Sequence, residues 1–336
     1  MKNRLHCFIR RRLLLLLLCC AFFSKTFSQN FIFGNGDTKI EAGVNFGPTF
    51  FLGDLGGHAG YGTTFLKDLN LQVTKAMKGM FFSIYPNDYI GFLLGADITE
   101  LDGADSLIST NGVNELWRKQ RNLDFKTNVW EVYSTVNIYP VMWLNRNNPD
   151  YKPKFRPYGF VGVGVFHFNP MGSLTQNGVT TWYYLRPLHT EGEGFPGIDS
   201  YTGKPFPKEY NLTQMNIPIG CGMEYYASDR VTLSLEFYYR KTFTDYIDDV
   251  STIYIDPSLF YKYLPPQTAQ LAAVLANKSY NNSSVDRLTP GMQRGDPSND
   301  DTYFSFLLKI GFRLGPIFNS EFDRDAAERT KCPTRF

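Results

Sequence analysis

Cysteine and histidine are scarce in this chain of 336 residues, which has five cysteines and four histidines. Three of the cysteines lie within the first twenty residues, and the other two, Cys221 and Cys332, are far apart. Such spacing does not suit a disulfide framework, and the histidines show no metal-ligand spacing. We therefore expect neither a fold stapled by disulfides nor a metal centre.

The chain also lacks a large excess of charge of one sign, and it lacks catalytic motifs. The 34 basic and 32 acidic residues leave a net charge of +2, which argues against a surface for nucleic acid. No serine lies in a Gly-x-Ser-x-Gly motif, and no Ser/His/Asp arrangement stands out. We expect a non-enzymatic protein with no catalytic, cofactor-binding or metal-binding residues, no cofactor and no nucleic-acid partner.

Long apolar runs are absent after the N-terminus. Residues 13–23 form an apolar stretch that follows five basic residues, and its length suits the core of a signal peptide. It is shorter than the roughly 20 residues of a membrane-spanning helix. Thr26 and Ser28 are small enough for the −3 and −1 positions of a signal peptidase site. We predict a signal peptide at residues 1–28 and therefore an exported protein.

Alternation of apolar and polar residues is what the rest of the chain has in abundance. In residues 230–240, every second side chain from Val231 to Tyr239 is apolar or aromatic, and the intervening ones include Ser234 and Glu236. This period of two indicates a β-strand with one apolar and one polar face. Eight segments are predicted as strands, at residues 39–52, 78–85, 89–99, 126–141, 157–168, 216–227, 230–240 and 302–314.

The lengths of the links between these strands alternate. Links 86–88, 145–153 and 228–229 are short or moderate, whereas the other links are long and include 243–301. A soluble sandwich has no reason to sort its links in this way, but outer-membrane barrels have short periplasmic turns and longer outer loops. We predict an all-β fold: an antiparallel transmembrane β-barrel of about eight strands within residues 29–314, in the outer membrane, followed by a periplasmic charged tail at 315–336.

The polar faces of the strands predict the interior of the barrel. A barrel of eight strands is just wide enough to be filled by side chains. Charges of both signs occur on these faces, so we interpret the interior as a salt-bridged plug, with a polar lumen or ion path as the alternative. The predicted inward residues are Lys39, Glu41, Asn45, Glu131, Glu224, Glu236, Arg240, Lys309 and Arg313.

Three aspartates form an acidic cluster near the outer end of the seventh predicted strand. Asp245, Asp248 and Asp249 follow Arg240 and Lys241 closely. Such carboxylates could bind a cation. We instead expect the three aspartates to lie in solvent at the base of an outer loop and to pair with Arg240 and Lys241.

Five segments of the chain carry a family resemblance: NFGPTFFLGD at 45–54, GTTFLKDLN at 62–70, RPYGFVGVGVFHFNP at 156–170, IPIGCGMEYYASDR at 217–230 and YRKTFTDYIDDV at 239–250. They resemble a Bacteroidetes family that includes PorG, the small outer-membrane barrel of the type IX secretion system. The resemblance covers about residues 39–314.

The resemblance implies a barrel that anchors or helps assemble a periplasmic protein-secretion complex. The implied partners are outer-membrane lipid and a periplasmic ring built from a lipoprotein and its partner protein. The resemblance carries over no catalytic residues. The alternative function is a small outer-membrane transport or ligand-binding barrel. A membrane enzyme would require a hydroxyl nucleophile and a histidine close together at the rim of the barrel.

Overall fold

The computed structural model describes residues 38–55, 74–108, 113–148, 151, 153–279 and 288–314. The predicted signal peptide at 1–28, the charged tail at 315–336 and Cys332 lie outside the described residues. Those assignments stay predictions.

Ten β-strands are formed within the described residues, and eight of them close into a barrel. Neighbouring barrel strands pair antiparallel throughout, β3 with β4 and β1 with β10 among them, so the sheet has no free edge along the wall. This confirms the predicted antiparallel barrel of eight strands. The strands are β1 Lys39–Leu52, β2 Lys75–Tyr85, β3 Ile90–Ala104, β4 Asp124–Ile138, β5 Phe155–His167, β6 Met171–Gln176, β7 Val179–Tyr184, β8 Thr213–Tyr226, β9 Val231–Thr242 and β10 Thr302–Leu314.

The hairpin of β6 and β7 lies in an outer link that was predicted as loop. It joins the barrel at one residue pair, Lys126 with Met171, and its turn is Asn177-Gly178, both with positive φ. Asn-Gly is the preferred dipeptide of a tight two-residue hairpin turn, because both central residues must adopt that conformation. The dipeptide was therefore a signal in the sequence from which the hairpin could have been predicted.

The outer links also contain helices, and we call the described parts of residues 53–55, 105–123, 169–212 and 243–301 the cap. A second apolar cluster packs within it, with Phe195, Phe260 and Leu275 among its buried members. Within the described residues, no helix is both long and apolar enough to cross a membrane. The α-helices of the cap are Val113–Arg121, Ser258–Tyr263 and Pro266–Ala276, and its 3₁₀ turns are Asp105–Leu107 and Arg186–Leu188. A further short helix, Pro140–Leu144, lies in the link between β4 and β5, at the opposite end of the barrel.

The barrel wall reverses the usual polarity of a soluble protein. Large apolar side chains are exposed on its outside, whereas charged side chains such as Glu236 and Lys309 are buried inside. A wall with an apolar outer belt and with all strand edges paired suits the hydrocarbon layer of a membrane. Members of this belt include Val44, Phe46, Met80, Leu94, Ile98, Val132, Val163, Ile219, Leu235 and Leu308.

Strand β9 shows the two faces most clearly. Leu235 is 61% exposed, whereas its neighbours Ser234 and Glu236 are 7% and 1% exposed. Leu235 lies opposite Leu308 and Met223 on the adjacent strands, within the apolar belt. The lipid-facing and lumen-facing sets of this strand agree with the period-two pattern of the sequence.

Replacing Leu235 by arginine is expected to destabilise the folded barrel by about 2–4 kcal/mol, because the charge would enter the lipid near mid-depth. The measurement is the fraction of heat-modifiable folded protein across a urea series in lipid vesicles. Asp229→Arg, in the turn between β8 and β9, is the matched control and should have little effect. Equal losses for the two variants would contradict the lipid-facing assignment.

Candidate functional site

A single arginine lies at the centre of the lumen. Arg240 projects inward from β9 and is 0% exposed. Its Nε donates to Oε2 of Glu131 at 2.6 Å, and its Nη2 donates to Oδ2 of Asp97 at 3.2 Å. Its Nη1 donates to the Ser305 hydroxyl at 2.8 Å. The guanidinium thus joins three other strands of the wall, β4, β3 and β10.

Two amides complete the hydrogen bonding of the carboxylates around Arg240. Asn45 Nδ2 donates to the second oxygen of Asp97 at 2.9 Å, and Asn216 Nδ2 donates to the second oxygen of Glu131 at 2.7 Å. Both amides lie on further barrel strands, β1 and β8. The buried charges are therefore paired and hydrogen-bonded, which is the condition under which a low-dielectric interior tolerates them.

A second ion pair lies closer to the end of the barrel that carries the β2–β3 and β8–β9 turns, which is predicted to face the periplasm and is called the periplasmic end. Lys309 Nζ is 3.0 Å from Oε1 of Glu236, and the Tyr158 hydroxyl donates to the same oxygen. The ammonium also lies 4.1 Å from the centroid of the Phe81 ring. This pair and its aromatic neighbours fill the cross-section below the Arg240 cluster.

The periplasmic end is closed by tyrosines and rim charges. The Tyr139 hydroxyl donates to Glu224 at 2.8 Å, and Lys39 and Arg156 form ion pairs with Asp88. A narrow cleft remains at this end, lined by Lys39, Tyr85, Asn87, Asp88, Tyr139, Arg156 and Tyr226.

The arrangement holds the wall together rather than leaving a passage. Of the nine predicted inward residues, seven are buried in the lumen, and Lys39 and Arg313 are half-buried at its periplasmic rim. Packing is so close that a Cβ on Gly164 would lie 2.2 Å from the side-chain oxygen of Asn216. These contacts favour the salt-bridged plug over the ion path.

The prediction that Asp245, Asp248 and Asp249 are solvated and pair with Arg240 and Lys241 was wrong. Asp248 and Asp249 are fully buried, and Asp245 is only 8% exposed, because the cap folds over the mouth of the barrel. Their expected partners are engaged elsewhere: Arg240 lies in the lumen, and Lys241 pairs with Asp300 at 2.9 Å. The sequence placed these groups near one another but did not reveal that distant links would cover them.

The cap carboxyl groups differ in what they accept. Asp249 accepts from the Thr190 and Tyr210 hydroxyls, each at 2.6 Å, and Asp248 accepts from the backbone N–H groups of Leu55 and Val250. Burial raises the pKa of Asp249 to about 6, against the lowering effect of Arg294. Burial also raises the pKa of Asp248 well above its ordinary value.

The side chains of this cluster are not arranged to bind a metal ion. Across the described ranges, no three His, Cys, Asp or Glu side chains are placed so that they could hold a metal ion. Asp248 and Asp249 are hydrogen-bonded to backbone N–H groups and to hydroxyls of the protein.

One histidine lies beside a hydroxyl at the outer rim. His167 Nδ1 is 3.0 Å from the Thr213 hydroxyl, its cross-strand neighbour, and its ring stacks on Trp130 at 5.2 Å. A catalytic arrangement would need a third group to orient the imidazole. No side-chain carboxylate in the described part of the chain forms a hydrogen bond with His167. The pair thus fits an aromatic interfacial contact.

No family model matches the chain, and no curated protein matches it. Among solved structures, the outer membrane protein OprG from Pseudomonas aeruginosa is 12% identical with a TM-score of 0.34, covering 83% of this chain and 97% of OprG. A major outer membrane protein from Thermus thermophilus is 10% identical with a TM-score of 0.36, covering 82% and 99%. Ail, the attachment invasion locus protein of Yersinia pestis, is 9% identical with a TM-score of 0.31, covering 82% and 97%.

The cellular location follows from the barrel itself. Its strands leave no free edge along the wall, its outer belt is apolar, and its charges are enclosed. Closed antiparallel barrels of this polarity are the structures that span outer membranes. The protein is an outer-membrane β-barrel.

Replacing Arg240 by methionine is expected to destabilise the barrel by about 3–5 kcal/mol, because Glu131 and Asp97 would be left buried without a counter-charge. The measurement is the urea midpoint of the protein refolded into lipid vesicles. Adding Glu131→Gln and Asp97→Asn should restore most of the loss.

The matched control is Arg313→Met at the half-buried rim, where we expect a loss of about 1 kcal/mol or less. If the two single arginine variants lost equal stability, or if the triple variant were less stable than Arg240→Met, the lumen cluster would not hold the wall together.

Proposed function

We propose that this protein is a non-enzymatic outer-membrane barrel that anchors or helps assemble a periplasmic protein-secretion complex, as in PorG-like barrels of type IX secretion. The observation that supports this proposal most is the filled lumen. The Arg240 cluster and the Lys309–Glu236 pair occupy successive levels of an eight-stranded barrel. Such a barrel offers the membrane a rigid body with little room for a solute.

The segments that resemble the PorG-containing family lend further support. Segment 156–170 contains most of β5, and segment 217–230 runs through β8 into the periplasmic turn before β9. Segment 239–250 carries Arg240 at the centre of the lumen and the buried aspartates of the cap. The resemblance therefore includes residues that fill and cover the barrel, in addition to residues of its outer wall.

The periplasmic end has features that suit a protein partner. Arg156 lies at the cleft, 4.2 Å from the centroid of the Tyr226 ring and 3.6 Å from an oxygen of Asp88. Arginine and aromatic side chains are both enriched in protein interfaces. The β2–β3 and β8–β9 turns on this side are short, so a periplasmic partner can approach that part of the rim directly.

An anchor needs a stable wall and a docking face rather than a reactive centre. The polar groups at the centre of the lumen are already hydrogen-bonded to one another, which suits a structural role. Transport is the alternative from the sequence, but a transport barrel needs unfilled space or more than eight strands.

The test is recovery of partners on the full-length protein, tagged and solubilised from outer membranes in mild detergent. We expect a periplasmic lipoprotein and its partner to co-purify, and we expect deletion of residues 323–336 to reduce their recovery without loss of the folded barrel. The charged tail is the segment predicted to reach the periplasm.

Lys204→Ala, an exposed change in the cap, is the control and should leave recovery unchanged. Purification of the wild-type barrel without any periplasmic protein, together with normal protein secretion in a strain that lacks the barrel, would reject the anchoring role.

A further inference from the structure

The cap encloses more acidic than basic groups. Among its described residues, eight carboxyl groups are buried, against two guanidinium groups. A buried charge is tolerated only when it is paired, bound to a metal or neutralised by a proton. The eight are Asp105, Glu191, Glu193, Asp199, Asp245, Asp248, Asp249 and Asp301, and the two are Arg121 and Arg294.

The two arginines are committed to particular carboxylates. Arg121 donates to both oxygens of Asp105, at 2.7 and 2.8 Å. Arg294 donates to Glu191 at 2.8 Å and lies 4.0 Å from Asp249. Three carboxylates therefore have a cationic partner within the cap.

Glu191 and Asp249 have neutral donors as well. Glu191 accepts from the backbone N–H groups of Ser251 and Thr252 and from the Thr252 hydroxyl, and Asp249 accepts from two hydroxyls. Carboxylates with several donors and a guanidinium partner are stable in the ionised form.

Three other carboxyl groups accept from backbone N–H groups: Asp199 and Asp248 from two each, and Glu193 from one. Arg294 also acts on Glu193, and Arg121 acts on Asp248.

Asp245 and Asp301 lack a cationic partner and have at most one backbone donor. Oδ2 of Asp301 accepts from the backbone N–H of Ile247 at 2.8 Å, but its Oδ1 is buried without a donor. Neither oxygen of Asp245 has a donor at hydrogen-bonding geometry, and the Ser251 hydroxyl is the neutral group that faces it. In the ionised form, each would leave negative charge uncompensated in the interior.

The groups that face this pair make ionisation harder. Asp301 faces Asp245 itself, and Asp54 and Asp248 face both members of the pair. The remaining charged neighbours are Glu191 beside Asp245, Asp296 beside Asp54, and Arg121, which acts on Asp54 and Asp248. Burial raises the pKa of Asp245 to about 9 and that of Asp54 to about 6, and it also raises the pKa of Asp301.

We propose that closure of the cap over the barrel mouth is coupled to proton uptake by Asp245 and Asp301, so that the cap is closed at acidic and neutral pH and opens as the pH rises. A protonated carboxyl group supplies an O–H donor where an ionised one supplies only repulsion. The proton thus removes a charge and gives a neighbouring acceptor a partner.

The direction of the pH dependence follows from the two states. In an open cap these carboxyl groups meet water and have an ordinary pKa near 3.8, whereas in the closed cap the pKa is raised. The closed state therefore binds more protons between these values. Closure is most favourable below the ordinary pKa and weakens as the pH rises toward about 9.

Opening would uncover apolar groups at the outer mouth. Tyr210 of the cap stacks on Phe168 with centroids 6.2 Å apart, and Ile247 and Val250 are buried in the same cluster as the lumen aromatics. These contacts close the mouth in the protonated state, so the acidic pair controls access to the outer end of the barrel.

The experiment is limited proteolysis of the full-length barrel in lipid vesicles at pH 6 to 9, with cleavage in the cap normalised to an unstructured peptide. We expect the fraction open to rise up to about tenfold per pH unit for each proton released. The double variant Asp245→Asn with Asp301→Asn should stay closed across the series, because asparagine is close to a protonated aspartate in shape and charge.

Glu191→Gln is the control, since it removes the closer of the two carboxylate partners of Arg294. The cap of this variant should be cleaved faster at every pH, and its open fraction should still rise with pH. The proposal would be overturned if the fraction of open wild-type cap did not rise with pH, or if it still rose with pH in the double variant. All measurements are repeated with a chelator and with added calcium. If the wild-type cap closed only with calcium, a metal ion rather than a proton would neutralise the carboxyl groups, and the proposal would be rejected.

Discussion

The ion cluster around Arg240 is the interaction on which the barrel depends. Lipid requires an apolar outer face, so the polar face of every strand must turn inward, where water is excluded. Arg240 meets Glu131, Asp97 and Ser305 from three other strands, and Asn45 and Asn216 satisfy the remaining carboxylate oxygens. The same contacts that neutralise the interior also connect strands that are not neighbours in the sheet.

Lumen and cap resolve the burial of charge in opposite ways. In the lumen, Lys309 forms an ion pair with Glu236, and Arg240 forms ion pairs with two carboxylates. These buried charges therefore neutralise one another without taking up ions from solution. In the cap, two arginines form ion pairs with three carboxylates, and Asp245 and Asp301 are among the buried carboxyl groups that have no cationic partner. The barrel is accordingly a fixed element, and its cover is the part that solution conditions can alter.

The wall was largely predictable from the sequence because its signal is local. Period-two alternation gave β1 and β10 with their observed bounds, and it placed Glu131, Glu236 and Arg240 inside. The partners of Arg240 were not predictable, since they depend on how strands far apart in sequence face one another across the lumen. The pairing of Arg240 with Asp97 spans 143 residues.

The cap was the part that sequence reasoning missed, and for a physical reason. Its hairpin had a local signal in Asn177-Gly178, but the burial of its acids is set by distant segments that meet over the mouth. Asp54 accepts from the backbone N–H of Asp296, 242 residues away, and Leu55 donates to Asp248. No local pattern distinguishes such aspartates from those of a solvated loop.

Electrical conductance across a planar lipid bilayer tests whether the lumen of the barrel is filled. The purified wild-type barrel, with folding verified by its heat-modifiable mobility, should insert without producing current steps in potassium chloride at any holding potential that the bilayer tolerates. Stable unitary conductance steps from the folded wild-type protein would show an open passage and contradict the account.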